Sequence, residues 1–342
     1  MDPFTHALSS LVLGRAVRTH LPRHGFAMLL VAGVAPDLDS LSYFLGAAAY
    51  LRFHQSLLHS VISSIALACV LTVVFVAIDR RQIRRFHFDE IAQLRFAAAL
   101  AVCAAGIALH LLLDAATDVG FQPLWPFRNH WTAFDLVPKF EIWIALILVA
   151  ALAIPELINM VSEEIGEHHS APRGILAARI GLVVFFAYIG VRTMLHNSAI
   201  TMLDSREYQG LAPLAVGAFP TASPLTWRGV VSTERALDEV ELPFMPGESF
   251  DPDRAVAHNK PDESQLIETA SGAGVVKTFL YYARFPLASV DSTDAGDQVR
   301  FRDLRFEAND KSPENLAVEV LVTPAGQPVE QTVFFNASGP RE

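Results

Sequence analysis

Cysteine and charge are both scarce in this chain. Only two cysteines, Cys69 and Cys103, occur in 342 residues, both inside apolar runs. With none in the C-terminal part, no disulfide framework staples it, and cysteine usage does not fix a redox compartment. Charged residues make up 18%, where a soluble globular chain is nearer about a quarter. Hydrophobic residues reach 52% and mean hydropathy is +0.34, a balance that points to a membrane protein. The opening MDPFTHALSS lacks a basic n-region, so no cleavable signal peptide is expected. The one basic cluster lies between two apolar runs and the remainder is acidic, so nucleic acid is not an expected partner.

The charge that is present is unevenly spread. Residues 1–199 carry 14 Lys+Arg against 14 Asp+Glu, and residues 200–342 carry 12 against 22, so the whole net charge of -10 sits in the last 143 residues. Two compositions predict two domains: 1–199 a helical membrane domain, 200–342 a water-soluble domain.

A bilayer core about 30 Å thick needs roughly 20 apolar residues per helix. Runs at 60–78, 95–114, 140–160 and 175–195 meet that length. Residues 4–17 are short, and residues 26–51 are interrupted by Pro36, Asp37, Leu38 and Asp39. These two read as a hairpin turning near 18–25, its second arm broken at Pro36, which cannot donate the interior hydrogen bond. The fold expected is therefore a polytopic α-helical membrane domain of about six elements, followed by a β-rich extramembrane domain.

Lys and Arg set the orientation. Arg15, Arg18 and Arg23 flank the first turn, residues 80–95 hold five arginines, and Arg173 and Arg179 mark the 161–179 connection. The opposite side has Arg52, Arg128 and Lys139. The first set is expected at the cytoplasmic face of the membrane, which places the N-terminus and the C-terminal domain outside. His87, His168 and His169 fall on the cytoplasmic side in polar surroundings and read as surface residues.

Ionisable side chains inside spans cost about 2.5–3.5 kcal/mol each on insertion scales and are functional candidates by default. Here they are His6, Asp37, Asp39, His54, His59, His110, Asp114 and Asp118. HLLLD puts His110 and Asp114 on one helix face, being four residues apart. At about 1.5 Å per residue, His6 and Asp37 each lie about 18 Å from the basic end of their segment, His110 about 22 Å, Asp114 about 28 Å and His59 about 31 Å. A lone intramembrane histidine is more often a helix–helix hydrogen-bond partner than a ligand, and Asp37 and Asp39 could simply cap a helix break. Residues far apart in sequence that collect in the outer half of the bilayer argue for a site.

Imidazole and carboxylate without thiolate suit zinc, or manganese or iron, as one or two divalent ions. Such a site activates water, so hydrolysis is the economical reading. His54 and His59 are also candidates for a general acid or base. The main alternative is a transporter whose His/Asp set relays protons or carries an ion, although no internal repeat accompanies it. A non-enzymatic membrane scaffold is the third.

Several stretches together resemble a known family: THALSSLVLG, APDLDSL, HQSLLHS, HLLLDAATDVGFQPLWPF and FDLVPKFEIW. They are similar to the motifs of the YdjM-like family of bacterial membrane-bound metal-dependent hydrolases, and SPLTWRGVV and LYYARFP extend the likeness. The resemblance implies a metal site at His6, Asp37, Asp39, His54, His59, His110 and Asp114, with Asp135 at a further acidic position. Gln55 and Ser56 depart from the family's Arg-Gly, and Asp118 is additional. The depth of the cluster, rather than the resemblance, suits a membrane lipid or lipid-linked ester or phosphoester at the outer leaflet as substrate.

Beyond 200, TWRGVVST, GVVKTFLYYARF, QVRFRDLRFE, LAVEVLVT and PVEQTVFF alternate Val, Phe, Tyr and Thr with polar residues. They predict strands of a small antiparallel sheet or sandwich, with residues 236–270 a long loop. No nucleophile elbow, phosphate-cradling glycine loop or redox motif occurs there.

Overall fold

The computed structural model describes the chain except residues 87–92, 129, 165–172, 262–264, 294–295, 307–314, 324–327 and 336–342. His87, His168 and His169 lie outside the described residues. The chain divides into two compact units. One comprises Met1–Asp39 with Gln55–Arg192, and the other Ser40–His54 with Thr193–Glu342.

The first unit is helical. Helix α1, Pro3–Ala16, starts where Asp2 accepts a hydrogen bond from Thr5 N at 3.0 Å and Pro3 occupies the first turn. Its 14 residues span about 21 Å, short of the hydrocarbon core. Helix α2, Gly25–Val34, gives way at Ala35 to a 3₁₀ segment, Ala35–Leu45, as the Pro36 break predicts. Helices α4 (Val61–Phe86), α5 (Phe96–Ala115), α6 (Ile142–Glu164) and α7 (Arg173–Asp204) follow, while the short α3, Ala47–Phe53, belongs to the second unit, as does α7 beyond Arg192. Among the described residues, five segments are long and apolar enough to cross a membrane: Gly25–Leu45, Val61–Arg85, Phe96–Ala115, Ile142–Val161 and Gly174–Asp204.

Two apolar clusters hold this unit together. Leu8 and Val12 of α1 pack with Leu113, Ile144, Leu148 and Phe185. Met28 and Ala32 of α2 pack with Ala68, Ala99, Cys103 and Ile107. Lipid is as apolar as leucine, so contacts between membrane helices rely on close approach rather than on exclusion of water. Two glycines make that approach possible. A Cβ on Gly33 would collide with Ser10 Oγ, and one on Gly106 would stand 2.9 Å from Ala32 Cβ and 3.0 Å from the Leu29 carbonyl. Helix α2 is thus pressed between α1 and α5.

At the opposite end of α4 from its start, Asp79 is fully buried. It accepts from Leu94 N at 2.9 Å and faces Arg23 at 3.4 Å and His24 at 3.3 Å. One carboxylate therefore ties the start of α5 and the α1–α2 turn to α4.

The second unit contains two antiparallel meanders. In the first, β1 (Ala215–Pro220), β2 (Thr226–Ser232), β3 (Ala236–Pro243) and β4 (Val256–Asn259) lie in that order. In the second, β5 (Pro286–Thr293), β6 (Gly296–Asp303), β7 (Leu316–Val322) and β8 (Pro328–Phe335) do. Phe219, Val230 and Leu237 of the first meet Phe285, Leu287 and Leu304 of the second in a shared core. Arg305, 1% exposed, bonds Asp303 at 2.7 Å and the Tyr282 carbonyl at 3.1 Å within this unit.

Two expectations are corrected here. The stretch GVVKTFLYYARF is mainly helix α9, Gly274–Tyr282, preceded by α8, Gln265–Ser271. Val276, Phe279 and Tyr282 are buried three residues apart, which is helical spacing, so the β-prone residues were misleading. Residues 236–270 are no single loop, since they hold β3, β4 and most of α8. Leu237, Val240 and Leu242 are among β3's buried positions, and the acidic residues between them hid the strand.

Two outcomes test this account of the helical unit in a reversible detergent unfolding titration. Gly106→Val is expected to destabilise by about 1–3 kcal/mol through overpacking against α2. Asp79→Ala, which strands the buried Leu94 N–H, is expected to cost about 1–3 kcal/mol. Wild-type stability in either variant would contradict the corresponding contact.

Candidate metal centre

Each side chain of the site is fixed by the helix geometry just described. Helix α5 carries Gly106, His110 and Asp114 on one stripe, at steps of four residues. The Gly106 contact brings that stripe against α2, where the carbonyl of Gly33 lies 2.8 Å from His110 Nδ1. His110 Nε2 then points the other way. His59, in the turn before α4, lies with Nδ1 2.8 Å from Asp39 Oδ2 and Nε2 2.9 Å from His110 Nε2. Asp114 Oδ2 completes the group at 3.0 Å from His59 Nε2 and 3.2 Å from His110 Nε2. His59, His110 and Asp114 are all at most 1% exposed.

The hydrogens determine what this arrangement can do. The Gly33 carbonyl can only accept, so His110 must carry its proton on Nδ1. An ionised Asp39 likewise requires the proton of His59 on Nδ1. Both Nε2 atoms then present lone pairs toward one another and toward a carboxylate oxygen. Three acceptors within about 3 Å in an apolar interior repel unless a proton on one Nε2 or a metal ion lies among them. Adjacent donors on one ion, at bonds of roughly 2.0–2.2 Å, stand roughly 3.0–3.5 Å apart, close to the spacings seen here. A divalent metal therefore fits this donor set. Asp39 and the Gly33 carbonyl orient the two rings from behind, the arrangement common to metal-binding histidines.

A second group shares His110. His6, fully buried on α1, stacks its ring on that of His110 with centroids 3.7 Å apart, and its Nε2 lies 3.1 Å from Asp114 Oδ1. Asp37 Oδ1 is 3.8 Å from His110 Nε2. His6, Asp37 and His110 could hold a metal ion by the spacing of their donor atoms, as could His59, His110 and Asp114. The terminal ammonium of Met1 also lies against Asp114 Oδ1, a cation where the buried carboxylate requires one. His6 Nδ1 is buried with no hydrogen-bond partner among the described residues.

Of the seven positions expected to bind metal, five supply atoms to these two groups: His6, Asp37, His59, His110 and Asp114. Asp39 lies directly behind His59. His54 belongs to the other compact unit, where its ring stacks on Tyr50 at 4.5 Å. Asp118 and Asp135 are buried on the loop after α5, and neither belongs to either donor group. Sequence reading passed over the Gly33 carbonyl, Gly106 and the Met1 amine. Backbone atoms and glycines carry no chemical signature, although Gly106 four residues before His110 offered a spacing clue.

Over 92% of its length the chain is 22% identical to the "Uncharacterized protein YfhP" of Bacillus subtilis (strain 168), covering 89% of that protein. No solved structure matches. A family model described as "YdjM inner membrane protein" matches residues 1–199, the part that contains the whole His/Asp cluster. With its five apolar helices, the chain is a multi-pass membrane protein belonging to the YdjM inner membrane protein family.

Proposed function

We propose that this protein is a membrane-bound, metal-dependent hydrolase. The observation that carries the reading is the convergence of His59 Nε2, His110 Nε2 and Asp114 Oδ2 within 3.2 Å of one another, with both imidazoles already orientated from their far side. Two imidazoles and a carboxylate suit zinc first, and also manganese or iron, as one or two ions. Bound there, such an ion lowers the pKa of its water to about 7 and polarises a phosphoryl or carbonyl oxygen.

The chain's own residues supply positioning and proton transfer. Asp39 and the Gly33 carbonyl hold the rings of His59 and His110 with Nε2 inward. Asp114 neutralises positive charge and, through Oδ1, keeps the His6 proton on Nε2. That leaves the His6 Nδ1 lone pair open to take a proton from an attacking water and return it to the leaving oxygen.

Burial of the site in the helical unit favours a substrate that is itself in the membrane, a lipid or lipid-linked ester or phosphoester. The Lys/Arg bias puts the Gly25, Arg85, Phe96 and Arg173 ends at the cytoplasmic face. The site then lies in the outer half of the membrane, and α7 leads to an extracytoplasmic C-terminal domain.

Elemental analysis of detergent-purified protein, followed by turnover of a chromogenic phosphodiester and a chromogenic carboxylic ester, tests the proposal. Wild type is expected to hold one or two equivalents of zinc, manganese or iron and to cleave one of the two probes. His110→Ala and Asp114→Ala are expected to lose metal and turnover together. Asp39→Asn is expected to weaken metal affinity about 10–100-fold. His6→Gln is expected to keep the ion held by His59, His110 and Asp114 and to lose turnover by about 10²–10⁴-fold. Wild-type protein that stays metal-free after reconstitution would exclude the reading.

A further inference from the structure

A second site is built from the other end of α4, remote in sequence from the His/Asp cluster and independent of what that cluster does. A cavity of about 530 Å³ lies between α4 and the start of α5. Val73, Ala77 and Phe96 form its apolar part, and Arg80, Arg81 and Arg84 its polar part. Positions 73, 77, 80–81 and 84 recur every three to four residues, so they make one stripe along a single helix face. The stripe changes from hydrocarbon to guanidinium along its length. From Val73 to Arg84 it runs about 16 Å, close to the hydrocarbon depth of one leaflet, about 15 Å.

Among the described residues, the charges in this stripe are uncompensated. Nearby, Arg23 faces Asp79 and Arg15 bonds Glu156. Arg80, Arg81 and Arg84 are exposed and have no acidic partner among the described residues. Orienting the protein in the membrane needs positive charge only somewhere in this connection. It does not need three guanidiniums gathered at the mouth of a cavity whose floor is apolar.

We propose that this groove binds one anionic phospholipid of the cytoplasmic leaflet, its phosphate held by Arg80, Arg81 and Arg84 and the upper part of one acyl chain laid along Val73, Ala77 and Phe96. Charge and polarity select the occupant. Guanidinium groups match phosphate oxygens in paired hydrogen bonds, and basic pockets between membrane helices on the cytoplasmic side take anionic head groups. The apolar floor excludes a free phosphate as the preferred ligand, because it would leave that surface uncovered. A zwitterionic lipid would satisfy the floor but bring a cationic head group toward three cations.

The test uses the full chain, delipidated in detergent and titrated with phosphatidylglycerol or phosphatidylcholine, with bound lipid counted by native mass spectrometry. One phosphatidylglycerol per chain is expected, bound at least tenfold more tightly than phosphatidylcholine and not displaced by equimolar inorganic phosphate. The triple variant R80Q/R81Q/R84Q is expected to lose affinity by on the order of a hundredfold. Because those arginines also help orient the protein, Ala77→Trp serves as the second variant. It keeps all three charges and fills an exposed groove position, and a loss of at least tenfold is expected. Arg18→Gln, which removes a positive charge outside the groove, is expected to bind as wild type does. Equal binding of the two lipids, displacement by phosphate, or undiminished phosphatidylglycerol binding by Ala77→Trp would each overturn the proposal. If the triple variant does not insert, Ala77→Trp decides alone.

Discussion

Three hydrogen-bond acceptors held face to face in an apolar interior are the constraint around which the helical unit is organised. His59 Nε2, His110 Nε2 and Asp114 Oδ2 lie 2.9–3.2 Å apart with almost no exposure, and each ring's proton is committed to the opposite side. Such a grouping is costly without a cation and favourable with one. Holding it requires that α2 and α5 touch through glycine, that the chain break at Pro36, and that the turn before α4 bring His59 inward. Removing any one of these displaces an imidazole from the other two donors.

The cost of the cluster is offset by ordinary packing around it. Leu8 and Val12 on one side, and Met28, Ala32 and Ile107 on the other, enclose the polar group in two apolar clusters. Meanwhile Ile62, Ile65, Val73, Val74, Leu157 and Val183 face outward, as a lipid-facing surface requires. Asp79 secures the other end of the same helices. The architecture thus places its two buried carboxylate groupings, Asp79 and Asp39 with Asp114, towards opposite ends of α4. Rigid helix ends hold a metal-binding geometry more accurately than loops do.

Much of this was legible in the sequence, for physical reasons. His6, Asp37, His59, His110 and Asp114 betray themselves because lipid tolerates no idle charge, and counting rises along each apolar run places them in the same half of the bilayer. His110 and Asp114 needed only helical periodicity. What could not be read was carried by groups without a chemical signature: the carbonyl of Gly33 and the bare Cα of Gly106. His54 shares its motif with His59 but belongs to a different compact unit, because the chain passes between units at His54 and Gln55. In the C-terminal part, β2, β6, β7 and β8 form where strands were expected. The run through Val275 and Phe279 instead became helix α9, since over nine residues apolar spacing alone cannot separate the two periods.

The central claim is that one divalent ion joins His59, His110 and Asp114. X-ray absorption spectroscopy of the zinc-loaded protein addresses it without reference to any substrate. The account predicts nitrogen and oxygen donors only, at about 2.0–2.1 Å, with outer-sphere scattering from at least two imidazole rings that diminishes in His59→Ala. A shell of oxygens without imidazole scattering, or a spectrum unchanged in that variant, would contradict it.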